Sequence, residues 1–269
     1  MIDIMLKNII PFSLIAIVFL FSSCDSNKEE KQFVADFAAI VKNGDRTKLK
    51  KVYPDFNSVD SLAFEYNADS VSVETSEAEG KFIVKLNSKQ SMIIEKSAEG
   101  GFTILKSYGL FAYESGVMEF CKALGCYDET LSDKENSERM NDKDFIGLLL
   151  LKADDFLKKN VRIEQRTHYN KVGISVYNNT GSVLPKDYYA VTVGVYFRGD
   201  GPASLESTQS YSEEDIPNGG SSHFFVNQTV DDLTYVEAEI TCTAYDISSL
   251  QKVYKPTGDE YEKYQKGEL

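Results

Sequence analysis

Apolar residues recurring at every second position constrain this chain more than any other feature. Val172, Ile174 and Val176 alternate with Gly173, Ser175 and Tyr177, and Tyr189, Val191, Val193, Val195 and Phe197 alternate with Ala190, Thr192, Gly194 and Tyr196. Successive side chains of a strand point to opposite faces, so each row predicts a strand with one face buried and one in water. Further β-rich runs at 161–167, 205–211, 222–226 and 234–245 are separated by turn signals. Residues 161–255 therefore read as an all-β module of two sheets, each with one buried face. Cys242 falls on the row Val236, Ala238, Ile240, Cys242, Ala244 and reads as a small buried hydrophobe.

Upstream the periodicity is mixed. Phe33, Phe37, Ile40 and Val41 share one helix face until Asn43-Gly44-Asp45 breaks it. A second helix turns Leu49, Val52, Tyr53 and Phe56 inward and is shortened by Pro54. Runs at 70–75, 81–86 with 91–95, and 102–108 then predict an antiparallel meander, so residues 32–109 read as an α+β module. Residues 110–160 are helical and read as a connector. Gly125 ends one helix, Ser132-Asp133-Lys134-Glu135 matches a capping box, and either Asn141 or Asp142 caps a helix whose row Phe145, Leu149, Ala153, Phe156 and Leu157 faces a core. The polar tail, 256–269, reads as a short helix or a frayed end.

The run Asn8-Ile9-Ile10-Pro11 through Ser22-Ser23-Cys24 is an export signal: Lys7 gives a positive start, residues 9–21 an apolar core, and Ser22 and Ser23 small residues before a cysteine. A spanning helix needs about 20 apolar residues, and here charged Asp25 and Lys28 to Lys31 follow at once. The Phe-Ser-Ser-Cys ending resembles a bacterial lipobox. That resemblance implies removal of the signal peptide 1–23, acylation of Cys24, with palmitate as a typical chain, and a tether over 24–31. Each buried methylene contributes about 0.8 kcal/mol, so two or three chains anchor stably. Asp25 resembles an inner-membrane retention signal, whereas Lys28-Glu29-Glu30 resembles the surface-export signal of Bacteroidota lipoproteins. Asp60-Ser61-Leu62 and Asp69-Ser70-Val71 resemble the O-glycosylation motif of the same group, which makes Ser61 and Ser70 candidate glycan carriers; each is also an ordinary turn signal. The expected location is the cell envelope, as a surface-exposed outer-membrane lipoprotein, with a periplasm-facing one as the alternative.

A net charge of −13 argues against nucleic acid, whose phosphates demand a basic face. With Cys24 lipidated, Cys121, Cys126 and Cys242 remain. Gly125 can turn Cys126 back toward Cys121, which makes that pair a candidate disulfide. Zinc spacing is absent. Asp200, Glu213, Glu214 and Asp215 would suit calcium only if their loops met, and otherwise are solvated loop acids. His168 and His223 are the only histidines, and neither a nucleophile elbow nor a phosphate loop occurs. No catalytic residue, metal or cofactor is assigned.

The order helix, Asn43-Gly44-Asp45, helix and curved sheet resembles the opening of NTF2-like domains, a cone-shaped fold that hosts enzymes and inert binders alike. Asn178-Asn179-Thr180-Gly181 after one strand, Arg198-Gly199-Asp200-Gly201 after another, and Ile216-Pro217-Asn218-Gly219-Gly220-Ser221 before His223-Phe224-Phe225-Val226 resemble FxLYD-type bacterial modules. That resemblance implies an immunoglobulin-like β-sandwich, without the paired strand cysteines and core tryptophan of antibody domains. The expectation is a lipid-anchored, noncatalytic envelope protein that binds or scaffolds a protein or glycan partner. The alternatives are an enzyme or small-ligand binder using a pocket in the α+β module, and a structural spacer.

Overall fold

The computed structural model describes residues 27–56, 62–98, 100–197, 202–212, 214–227 and 234–269. They divide into two compact units: the described residues up to Ala112 together with Glu129–Lys134, and Tyr113–Asp128 together with Glu135–Leu269. The signal segment, Cys24 and Ser61 lie outside the described residues, as do Asp200 and Glu213.

In the first unit, helix α1 (Lys28–Asn43) carries Glu29 and Glu30 in its first turn, where the helix dipole favours acids. Helix thus begins within the stretch expected to be tether. Its buried face is centred on Glu30, Val34 and Phe37, one step round from the row predicted from sequence. The Gly44 N–H donates to Val41 and the Asp45 N–H to Ile40, and Asp45 then caps α2 (Arg46–Val52) by accepting from the Lys48 N–H. Strands β1 (Ser72–Thr75), β2 (Lys81–Lys85), β3 (Ser91–Lys96) and β4 (Phe102–Tyr108) follow in that order as the expected antiparallel meander. Val84, Met92, Ile94 and Ile104 line its buried face.

In the second unit, α3 (Ser115–Leu124) ends at Gly125. Helix α4 (Asp133–Met140) starts on two residues of the first unit, and α5 (Lys143–Asn160) follows. Asp142 is the cap of α5, accepting from the Asp144 and Phe145 N–H groups. Phe145, Leu149, Ala153 and Leu157 are fully buried, while Leu151 stays exposed. The region predicted as a connector therefore contributes to the core of this unit.

Strands β5 (Val161–His168), β6 (Lys171–Asn178), β7 (Tyr189–Phe197), β8 (Ser204–Tyr211), β9 (Ser221–Phe225) and β10 (Thr234–Cys242) match the predicted runs within a few residues. They form two antiparallel three-stranded sheets, β5-β6-β9 and β10-β7-β8. The rows Val172, Ile174, Val176 and Val191, Val193, Val195 enter one core, together with α3 and α5. The tail also joins this core. Helix α6 (Ile247–Leu250) buries Ile247, Ser249 and Leu250, α7 (Glu260–Gln265) buries Glu260 and Tyr261, and the Phe145 ring lies 5.0 Å from that of Tyr261 and 5.2 Å from that of Tyr264. The frayed-end alternative is thereby set aside: Phe145 supplies an apolar surface that the tail tyrosines cover.

Asn178 closes the end of β6. It is fully buried. Its Nδ2 donates to the carbonyls of Ser182 (2.8 Å) and Ile216 (2.7 Å), and its Oδ1 accepts from the Thr180 N–H (2.9 Å) and hydroxyl (2.7 Å). Asn178→Ala leaves these buried partners unmatched, and each costs about 1–3 kcal/mol. The expected loss in urea unfolding is roughly 3 kcal/mol; a change under about 0.5 kcal/mol would contradict this role.

Candidate binding surfaces and buried polar groups

Burial decides which polar groups of the first unit can act chemically. Tyr53, Ser107 and Asp133 form a chain: the Tyr53 and Ser107 hydroxyls are hydrogen-bonded, and Ser107 donates to Asp133 Oδ2 at 2.6 Å. Asp133 also accepts from the Gly109 N–H (2.9 Å) and the Leu110 N–H (3.0 Å). All three side chains are 1% exposed, so a substrate cannot reach them. Their geometry instead terminates β4, where the chain leaves the sheet and its N–H groups need acceptors. Burial pushes the Asp133 carboxyl above its ordinary range, against the pull of those hydrogen bonds.

The second unit holds a carboxylate of opposite behaviour. Glu260 is fully buried, and its Oε1 accepts from the Tyr254 hydroxyl (3.1 Å) and from the Thr257 N–H (2.6 Å) and hydroxyl (3.0 Å). Burial pushes this carboxyl up, but the hydrogen bonds from Thr257, its own N–H and Tyr254 together outweigh it, and the net direction is down.

The cysteine pair sits where the sequence placed it. The Gly125 N–H donates to Lys122 and the Cys126 N–H to Cys121 (3.0 Å each), the crossed pattern of a Schellman turn, with Gly125 at φ 78°. This pattern brings the residue after the glycine against the fourth residue from the helix end, so the two cysteines meet. Both are buried free thiols, with Cys126 Sγ donating to the Cys121 carbonyl at 3.5 Å, and the neighbouring Cys126 thiol first and burial second push Cys121 up. Cys242 is half-buried, and its N–H donates to Asp154.

The remaining candidates disperse. Ser70 lies in a 3-10 turn (Ala68–Ser70), and its hydroxyl donates to the carbonyls of Asn67 (2.8 Å) and Leu86 (2.6 Å), the turn role expected of Asp-Ser. His168 ends β5, whereas His223 in β9 contacts Ser175 (2.8 Å) and Ser221 (3.2 Å). Through β6 they pair with Lys171 and Ser175, four residues apart along the strand, so they do not converge. Asp215 accepts from the Lys186 N–H, and the Glu214 carbonyl accepts from the Tyr189 hydroxyl. Among the described residues no group of three or more His, Cys, Asp or Glu could hold a metal, and no helix is long and apolar enough to cross a membrane.

Two concave surfaces are open. In the first unit a groove of about 590 Å³ runs between the start of α1 and the β3–β4 turn, lined by Lys28, Gln32, Phe33, Lys96 and Phe102. The Phe33 and Phe102 rings are 5.5 Å apart, and Lys96 pairs with Glu29. In the second unit a trough of about 430 Å³ lies on the outer face of sheet β10-β7-β8 and includes Thr192, Gly194, Tyr196, Thr208, Glu237 and Glu239. Of these residues the sequence marks Phe33 as part of a helix face and Thr192, Gly194 and Tyr196 as the alternate row of a strand; the available signal for the trough was a glycine inside that strand, which marks close approach.

Comparison with protein-family models, curated proteins and solved structures returns no match.

The two buried carboxylates give opposite pH signatures. A raised folded pKa stabilises fully below the unfolded value and loses that contribution as pH rises through the folded value; a depressed one does the reverse. The destabilisation caused by Asp133→Asn should therefore grow, and that caused by Glu260→Gln shrink, as urea unfolding is repeated from about pH 7 to pH 3. Slopes of the same sign would contradict the assignment.

Proposed function

We propose that this chain is a lipid-anchored, noncatalytic envelope protein of the Bacteroidota surface type, acting as a binding or scaffold module. The observation that carries the reading is the stretch from Asn8 to Cys24, an apolar core closed by Ser22-Ser23-Cys24 and followed at once by charge. Acylation at Cys24 would leave only a few residues between the membrane and α1, which starts at Lys28. In this reading the first unit is an NTF2-like module and the two sheets of the second form an immunoglobulin-like sandwich. Shared burial of Val172, Ile174 and Val176 with Val191, Val193 and Val195 supports the sandwich. The buried state of Tyr53, Ser107 and Asp133 favours binding over catalysis, since the carboxylate with the raised pKa has no access to solvent.

Cys24→Ala should shift the protein from the carbonate-washed membrane pellet to the soluble fraction with its unfolding midpoint unchanged. Retention of the variant in the pellet would remove the lipid anchor from the reading.

Export also sets the redox state. Cys121 and Cys126 are proposed to form a disulfide by giving two electrons and two protons to an exported disulfide donor. Under denaturing conditions the exported protein should then show one titratable thiol, Cys242; a count of three would exclude the bond.

A further inference from the structure

We infer that the outer face of the β10-β7-β8 sheet is a saccharide-binding trough, which gives the proposed binding role a ligand class and depends on that reading for its setting alone. The centre strand β7 sends Thr192, Gly194 and Tyr196 outward. Across β10 these face Glu239, Glu237 and Tyr235, and across β8 Thr192 and Gly194 face Ser210 and Thr208. Gly194 makes room for the Tyr196 ring. A Cβ built there would come within 2.8 Å of the Tyr196 ring, so this position must lack a side chain for the ring to lie back along the strand. That ring stacks on Tyr235 at 5.1 Å and 14°. The result is a floor made by the Tyr196 ring lying over buried Gly194 and stacked on Tyr235, with hydroxyls along one wall and exposed Glu237 and Glu239 along the other, in a trough of about 430 Å³ that Gln165 also lines. This volume is within the roughly 300–1,000 Å³ usual for small-ligand sites.

A pyranose ring meets these demands together. Its C–H face packs against an aromatic ring, while its hydroxyls donate to carboxylates and exchange hydrogen bonds with threonine. A purely apolar ligand would strip water from two carboxylates without replacing it. An anion would meet like charge, because Lys158 offsets Glu239 alone. Addition of a peptide strand is blocked along β10: the Gln165 amide, oriented to make both bonds, donates to the Val236 carbonyl (2.9 Å) and accepts from the Ala238 N–H (3.3 Å), and Asp154 takes the Cys242 N–H.

The test is calorimetric titration of the purified full-length chain in detergent with cellotetraose, chitosan tetraose and tetragalacturonate. The neutral and cationic sugars should bind and the anionic one should not. Tyr196→Ala should weaken cellotetraose binding by about tenfold or more, and Glu237→Gln by a smaller factor. Thr208→Lys, which fills the trough beside the Tyr196 ring from an exposed position on β8, should abolish binding while leaving the thermal unfolding midpoint in place, so loss of binding is separated from loss of fold. Binding of none of the three sugars would overturn the proposal. So would binding of chitosan tetraose alone and undiminished by Tyr196→Ala, which would be charge contact only, or cellotetraose binding that survives Thr208→Lys. Each outcome is read on the purified chain and is independent of whether Cys24 carries lipid.

Discussion

A polar group removed from water has to find its partners inside the protein, and two buried side chains do this where strands end. In the first unit Asp133 takes the hydrogen bonds of Ser107, Gly109 and Leu110 where β4 ends. In the second Asn178 joins the end of β6 to the Ser182 and Ile216 carbonyls. Apolar burial supplies the larger energy, about 1.5–3 kcal/mol for each fully buried Val, Leu, Ile or Met, against roughly 1 kcal/mol net for a hydrogen bond. The valine rows therefore hold the sheets together. The two polar hubs select which loop geometry closes them, because any other geometry leaves a buried group without a partner.

Much of the fold was legible because strand and helix periods differ. The alternation around Val172 and Val191 located β6 and β7, and Asn43-Gly44-Asp45 marked the break between α1 and α2, where Gly44 takes the left-handed conformation at φ 63°. What was illegible depended on distant partners. The residues Lys28 to Lys31 look like a solvated tether, yet Glu30 is buried against the first unit. Tyr261 and Tyr264 look like a polar tail until Phe145, far away in sequence, provides the surface they cover. Asp133 read as part of a cap, and its bonds to β4 could not be foreseen from neighbours in sequence. The trough was hidden for the same reason: Thr192, Gly194 and Tyr196 read as the wet side of a strand, and only the register with Glu237, Tyr235 and Thr208 assembles them.

The proposed tether and the proposed trough would suit one another physically. An acyl anchor restricts the chain to a surface, where many weak contacts to a repeating polymer add through high local concentration. A shallow site of hydroxyls, carboxylates and one aromatic pair would bind each saccharide weakly and gain from that arrangement. A net charge of −13 repels phosphate-rich polymers, in keeping with the proposed envelope setting.

The proposed covalent anchor at Cys24 is tested most directly by the intact mass of the mature protein extracted from membranes. A chain beginning at Cys24, lacking residues 1–23 and carrying the added mass of two or three acyl chains, is the expected result. A chain that retains Met1, or one that begins elsewhere with Cys24 unmodified, would contradict it.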